Sequence, residues 1–128
     1  MNSNKYYWIY ILMVKNGNYY TGYTVDLVRR YREHITGRGA CKYTKSFRPV
    51  KLTQCWRVFE DKGTAMKIES YIKGIGRAQK HFLVSNPYKL KDMILKDLKI
   101  DPDIYTFDPS IVEKSVREIE ERTPGTGM

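Results

Sequence analysis

The first clear pattern in the chain is an apolar run, Tyr6 to Val14, rich in aromatic and β-branched residues. Such side chains suit a pleated, buried surface, so the run predicts a strand. Lys15-Asn16-Gly17-Asn18 reads as a turn and Tyr19 to Tyr23 as the returning strand. From Thr24 the period becomes helical. Thr24 is placed to cap the helix, with Asp26 in the first turn facing the positive dipole end. Val28, Tyr31 and Ile35 form its apolar stripe, and Gly37 stops it. Residues 37–51 show no period and read as a loop. Lys51 to Glu60 predicts a third strand. Thr64 to Lys73 predicts a second helix, with Ala65, Ile68 and Ile72 buried, broken by Gly74 and Gly76. Further helical segments are expected from Arg77 to Val84 and from about Tyr88 to Leu98. Residues 101–108 read as a linker. Asp108-Pro109 is a good helix start, followed by a narrow apolar stripe of Val112, Val116 and Ile119. The stretch from Thr123 to Met128 is expected to be disordered. Together these elements predict an α+β fold, a small three-stranded, mostly antiparallel sheet flanked by helices. It would occupy residues 1–84. Residues 85–128 would form a helical C-terminal extension, part of the same compact unit or docked onto it.

The turn bears on chemistry. A two-residue Asn16-Gly17 loop would set Tyr10 opposite Tyr23 and send Tyr20 to the other face of the sheet. A three-residue loop, with Gly17 left-handed in a bulge, would set Tyr10 opposite Gly22 and Leu12 opposite Tyr20. Only a register of the second kind lets the two tyrosines cooperate. Gly22 would then leave space beside the Tyr10 ring for a phosphate or a water.

Charge sharpens this picture. The chain of 128 residues has a net charge of +9. Residues 1–83 hold 16 Lys/Arg against 5 Asp/Glu, while residues 84–128 hold 7 against 9. A basic surface over the first two-thirds suits an anionic polymer. The 37–51 segment is its densest part, with Arg38, Lys42, Lys45, Arg48 and Lys51, no acidic residue, and Tyr43 and Phe47 among them. Its cations can neutralise phosphates while an aromatic ring stacks on a base. Arg77 and Lys80 extend the patch. The bland alternative is a solvated basic loop. Cys41 and Cys55 match no common zinc spacing and read as reduced thiols, with a disulfide the other option. The apolar run is too short to span a bilayer and lacks a signal-peptide flank, so a cytoplasmic protein with no membrane partner is expected.

Trp8-Ile9-Tyr10, Tyr20-Thr21-Gly22 and the following Arg29, Arg30 and His34 resemble the motifs of the GIY-YIG nuclease family, above all its small single-domain bacterial members. The likeness extends to the nuclease domain of enzymes that cut branched DNA, and it covers about residues 5–84. Thr64-Ala65-Met66-Lys67-Ile68-Glu69 is similar to the family's metal-binding helix. Trp8 stands in place of the first glycine, Thr21 in place of isoleucine, and Tyr23 where some relatives have lysine. The resemblance implies that Tyr10 and Tyr20 flank the scissile phosphate, that Arg30 holds it and that His34 assists. It implies one divalent ion, Mg²⁺ or Mn²⁺, on Glu69. It also implies an endonuclease that takes DNA in preference to RNA, as in DNA repair, and the backbone-directed contacts expected of the basic patch favour structure (branches, flaps) over sequence.

The residues suit those roles. Tyrosine, with an ordinary pKa near ~10, becomes a base only where neighbouring cations or a metal-polarised water favour the phenolate. Arg30 and His34, one turn apart, can supply such a field. Tyr10 is the favoured base and Tyr20 the orienting group, with the reverse open. The arginine fork matches a phosphate, and a lone carboxylate suits Mg²⁺, which keeps its water. The competing readings are core packing for each tyrosine, a Glu69–Lys73 surface pair, and a surface or core role for His34. At the level of function, the competitors are a nucleic-acid-binding module that has lost cleavage and an adaptor that binds a protein partner through the acidic C-terminal segment.

Overall fold

The computed structural model describes residues 5–122. Its order is β1 (Tyr7–Val14), β2 (Tyr19–Thr24), α1 (Leu27–Thr36), α2 (Lys42–Ser46), β3 (Pro49–Val58), α3 (Lys62–Gly74), α4 (Arg77–Ser85), a 3-10 turn (Pro87–Lys89), α5 (Leu90–Leu98), β4 (Ile104–Phe107) and α6 (Pro109–Glu121). The sheet has four strands, β2-β1-β3-β4, and every pairing is antiparallel. The expected three-stranded sheet is corrected by β4, which lies in the stretch read as a linker and pairs with β3 from Cys55↔Phe107 to Val58↔Ile104. The expected tail from Thr123 lies outside the described residues.

The hairpin has the three-residue loop. Val14 N–H donates to the Asn18 carbonyl at 3.0 Å, and Gly17 has φ +84°. Tyr10 therefore pairs with Gly22 and Leu12 with Tyr20. This register sorts the side chains into two layers. Ile9 and Ile11 pack with Trp56, Val58 and the apolar faces of α3, α4 and α5. Tyr10, Leu12 and Val14 pack with α1 and with Val112 and Val116 of α6. A bulge opposite Ile11 and Leu12 lets Leu52 and Cys55 share the second layer, and the Thr53 hydroxyl there donates to the Ile11 carbonyl at 2.8 Å.

The narrow stripe of α6 thus docks on its own domain. Glu113 tightens the contact by accepting from the Tyr31 hydroxyl (2.9 Å) and the Leu52 N–H (3.0 Å). Arg32 pairs with Glu120 at 2.7 Å. The cap of α1 also differs from expectation. Asp26 accepts from Arg29 N–H, and Thr24 instead accepts from Asp26 N–H. The segment read as a loop contains the five-residue α2, and β3 starts at Pro49, before Lys51.

Candidate active site at the edge of the sheet

β2 is an outer strand, so both of its faces end at an open edge. A cleft of about 330 Å³ lies along that edge. Tyr19 and Tyr20 enter it from opposite sides of the strand. Tyr43 of α2 forms one wall; Lys73, Arg77 and Lys80 form the other. Of the residues singled out in the sequence, the cleft wall thus contains Tyr20, Tyr43, Arg77 and Lys80. Tyr19 was not singled out, and Lys73 only as a surface partner for Glu69, because nothing local marks β2 as the free edge.

Behind Tyr20 is a buried polar chain. Tyr10 is 1% exposed and His34 0%. The Tyr10 hydroxyl lies 2.8 Å from His34 Nε2, and His34 Nδ1 lies 2.8 Å from the Thr44 hydroxyl. Thr44 donates to the Cys41 carbonyl at 3.4 Å. Thr44 therefore accepts from Nδ1–H, and Nε2 accepts the Tyr10 proton. Burial, with the nearby Arg30 charge second, lowers the His34 pKa to about 4. Burial first, and the Tyr20 phenol second, push Tyr10 well above the ordinary tyrosine range, and Arg30 opposes this without reversing it. At neutral pH both groups are uncharged. The expected cationic field from His34 is absent, and the imidazole offers Tyr10 a lone pair in its place.

Tyr20 joins this chain to the cleft. Its ring sits edge-on to His34 at 5.1 Å between centroids and stacks on Tyr43 at 5.7 Å, and Phe47 continues the row. Gly22 is required beneath Tyr10, since a Cβ there would come within 2.5 Å of the phenol oxygen. The space expected for a phosphate is filled by the Tyr10 ring itself. Gly22→Ala should force the ring aside at a cost of ~1–3 kcal/mol, lowering the melting temperature and breaking the bond to His34. An unchanged melting curve would show that the ring has room to move.

His34 also sets an acid limit on stability. Its folded pKa of about 4 lies below the ordinary value of 6.5. Between those values the unfolded chain binds a proton that the folded one refuses. The neutral-histidine contribution is whole above pH 6.5 and lost as pH falls to 4, a change of about 3 kcal/mol. Urea titrations at stepped pH should show this slope, and His34→Gln should flatten it.

Arg30 is already engaged. It bonds Glu33 at 2.7 Å, the Ala40 carbonyl at 2.9 Å and Cys41 Sγ at 3.5 Å. As placed, it anchors the segment after α1, and holding a phosphate requires it to share these bonds. Arg29 pairs with Glu33 on the surface. Arg48 donates to the Ile35 carbonyl at 2.7 Å. Arg38, Lys42 and Lys45 are exposed and lie outside the cleft wall. Cys41 and Cys55 are buried free thiols.

Glu69 stands on α3 one turn before Lys73, which it pairs with at 3.3 Å; its side chain is 15% exposed and that of Lys73 55%. No cluster of three or more acidic, His or Cys ligands occurs among the described residues. A single shielded carboxylate, linked to the cleft wall through Lys73, fits a hydrated Mg²⁺, whose remaining ligands would be waters and substrate oxygens. Lys73, mostly in solvent, can leave it at little cost. Among the described residues no helix is long and apolar enough to cross a membrane.

Residues 6–83 match the model of the GIY-YIG catalytic domain. A UPF0213 protein of Halalkalibacterium halodurans is 42% identical over 86 residues, which span 65% of this chain and 89% of that protein. One from Halobacterium salinarum is 45% identical over 75 residues, covering 59% and 95% of the two chains. One from Fusobacterium nucleatum is 37% identical over 95 residues, covering 73% and 87%. The solution NMR structure of a UPF0213 protein from Bacillus halodurans aligns at 41% identity and a TM-score of 0.40, covering 66% of this chain and 92% of that one.

Proposed function

The chain belongs to the GIY-YIG catalytic-domain family, and on that premise we propose that it is a metal-dependent endonuclease that hydrolyses phosphodiester bonds in DNA, selecting branched or flapped structure over sequence. The observation that carries this reading is the Tyr10–His34–Thr44 chain ending behind Tyr20 at a basic cleft. The scissile linkage lies along the β2 edge, its flanking phosphates near Lys73, Arg77 and Lys80. Tyr20 contacts the linkage and orients the attacking water. Tyr10 is buried behind Tyr20, so the step requires Tyr20 to shift and admit that water to the phenol oxygen, which then accepts its proton while its own passes to His34 Nε2. The P–O bond from water forms, the bond to the leaving oxygen breaks, that oxygen takes a proton from solvent water in the open cleft, and Thr44 keeps the imidazole aligned through Nδ1. An anionic phosphate entering the cleft raises the His34 pKa and favours this transfer. Arg30 shares its guanidinium with the phosphate and stabilises the charge that builds there. Glu69 would hold the divalent ion, which supplies charge neutralisation when bound.

The contacts are with backbone phosphates and aromatic faces, so shape is read in preference to base sequence. The test incubates the protein with flapped, branched, single-stranded and blunt duplex DNA and with RNA, in Mg²⁺ or EDTA. Metal-dependent cutting at the junctions supports the reading. Binding without cutting, in every metal condition, replaces it with a binding module.

A further inference from the structure

A second groove opens on α4 beside the cleft. It has a volume of about 700 Å³, and Ala78, Phe82 and Ser85 are among its walls. Phe82 is 48% exposed although the adjacent Leu83 is fully buried. Arg77 borders both cavities. Its guanidinium sits 5.6 Å from the centre of the Tyr19 ring, and the Tyr19 hydroxyl lies 2.7 Å from His81 Nδ1. His81 is itself a wall of the second groove. One row therefore runs from the cleft through Arg77, Tyr19 and His81 to Phe82. The walls of the two cavities carry Lys73, Arg77 and Lys80 and no carboxylate, and between Glu69 and Asp92 the chain holds five Lys/Arg and no Asp or Glu.

We infer that this groove takes an unpaired base of the single strand that leaves the scissile linkage, stacked on Phe82, with Arg77 guiding the phosphate between the two cavities. This rests on the nuclease reading for the position of the linkage and deepens it by assigning the flap. An apolar face alone would suit many occupants. Its continuity with the cleft and the run of cations beside it select a polyanion that also carries flat apolar rings. A single-stranded nucleic acid has both, whereas the bases of a duplex are stacked and out of reach.

The test measures binding in EDTA, where nothing is cut, by fluorescence anisotropy of a duplex bearing a short flap and of the same duplex without it. Phe82→Ala should weaken flap binding on the order of tenfold, the weight of one base–aromatic stack, and leave duplex binding unchanged. Phe82→Trp should restore it. A 2-aminopurine at the first flap position should be quenched by the wild type and by Phe82→Trp but remain bright with Phe82→Ala. Equal binding of the flap by wild type and Phe82→Ala overturns the assignment, as does an equal loss on both DNAs. Concentration-dependent self-association that Phe82→Ala abolishes, with flap binding intact, gives the groove to a second copy of the chain and also overturns it. Phe82-dependent flap binding by a protein that never cuts defeats the nuclease reading and leaves this one standing. A protein that cuts but binds the flap equally with and without Phe82 does the reverse.

Discussion

Tyr10→Phe should lower DNA cleavage by ~10²–10⁴-fold, the usual weight of a positioned proton-transfer group. The substitution removes one oxygen and keeps the ring over Gly22. It leaves His34 Nε2 without its 2.8 Å partner, and an unsatisfied buried acceptor costs about 1–3 kcal/mol. That is a fraction of the ~5–15 kcal/mol that holds a domain folded, so the variant should melt earlier but remain native at 25 °C. The phenol sits behind Tyr20 and acts in the transition state. The loss should therefore fall on kcat, with KM and DNA affinity little changed. Single-turnover cleavage beside a melting curve checks both parts. Retention of cutting within about threefold of wild type would remove Tyr10 from the chemistry.

Glu69→Gln should produce the second large effect. The side chain keeps its size and loses the charge that would hold the ion. Cleavage should fall by at least ~10²-fold at millimolar Mg²⁺, the scale of losing one preorganised charge at a phosphate. Stability should barely move, since the substitution removes only a partly exposed pair with Lys73, worth a few tenths of a kcal/mol. That contrast separates a metal ligand from a structural carboxylate. Raising Mg²⁺ or substituting Mn²⁺ should recover part of the activity. Unaltered metal-dependent cutting by the variant would move the ion elsewhere. Cleavage and stability that fall together would make Glu69 a packing residue.

The legible part of this site was the hairpin. The Asn16-Gly17 turn offered two registers, and cooperation between Tyr10 and Tyr20 required the one with a left-handed Gly17, which is present. The buried face of α3 was legible too, because Ala65, Ile68 and Ile72 recur at helical spacing and are all fully buried. β4 escaped for a physical reason. It has four residues, with Tyr105 and Thr106 exposed, and follows an Asp-Pro-Asp stretch. Only pairing with β3, some fifty positions away in the chain, makes it a strand. The five-residue α2 is likewise too short to show a period, yet it delivers Thr44 to His34.

By itself the sequence determined what local sterics can encode. Strand and helix periods, a glycine-dependent turn and the kinds of side chain available all act over a few residues. The tertiary structure alone decided which strand would be left at an edge, and so where a cleft could open. It also decided that His34 would be buried and neutral, a lone-pair acceptor for Tyr10 and no source of positive charge. Protonation depends on desolvation and on charges brought close from distant parts of the chain, and those are properties of packing.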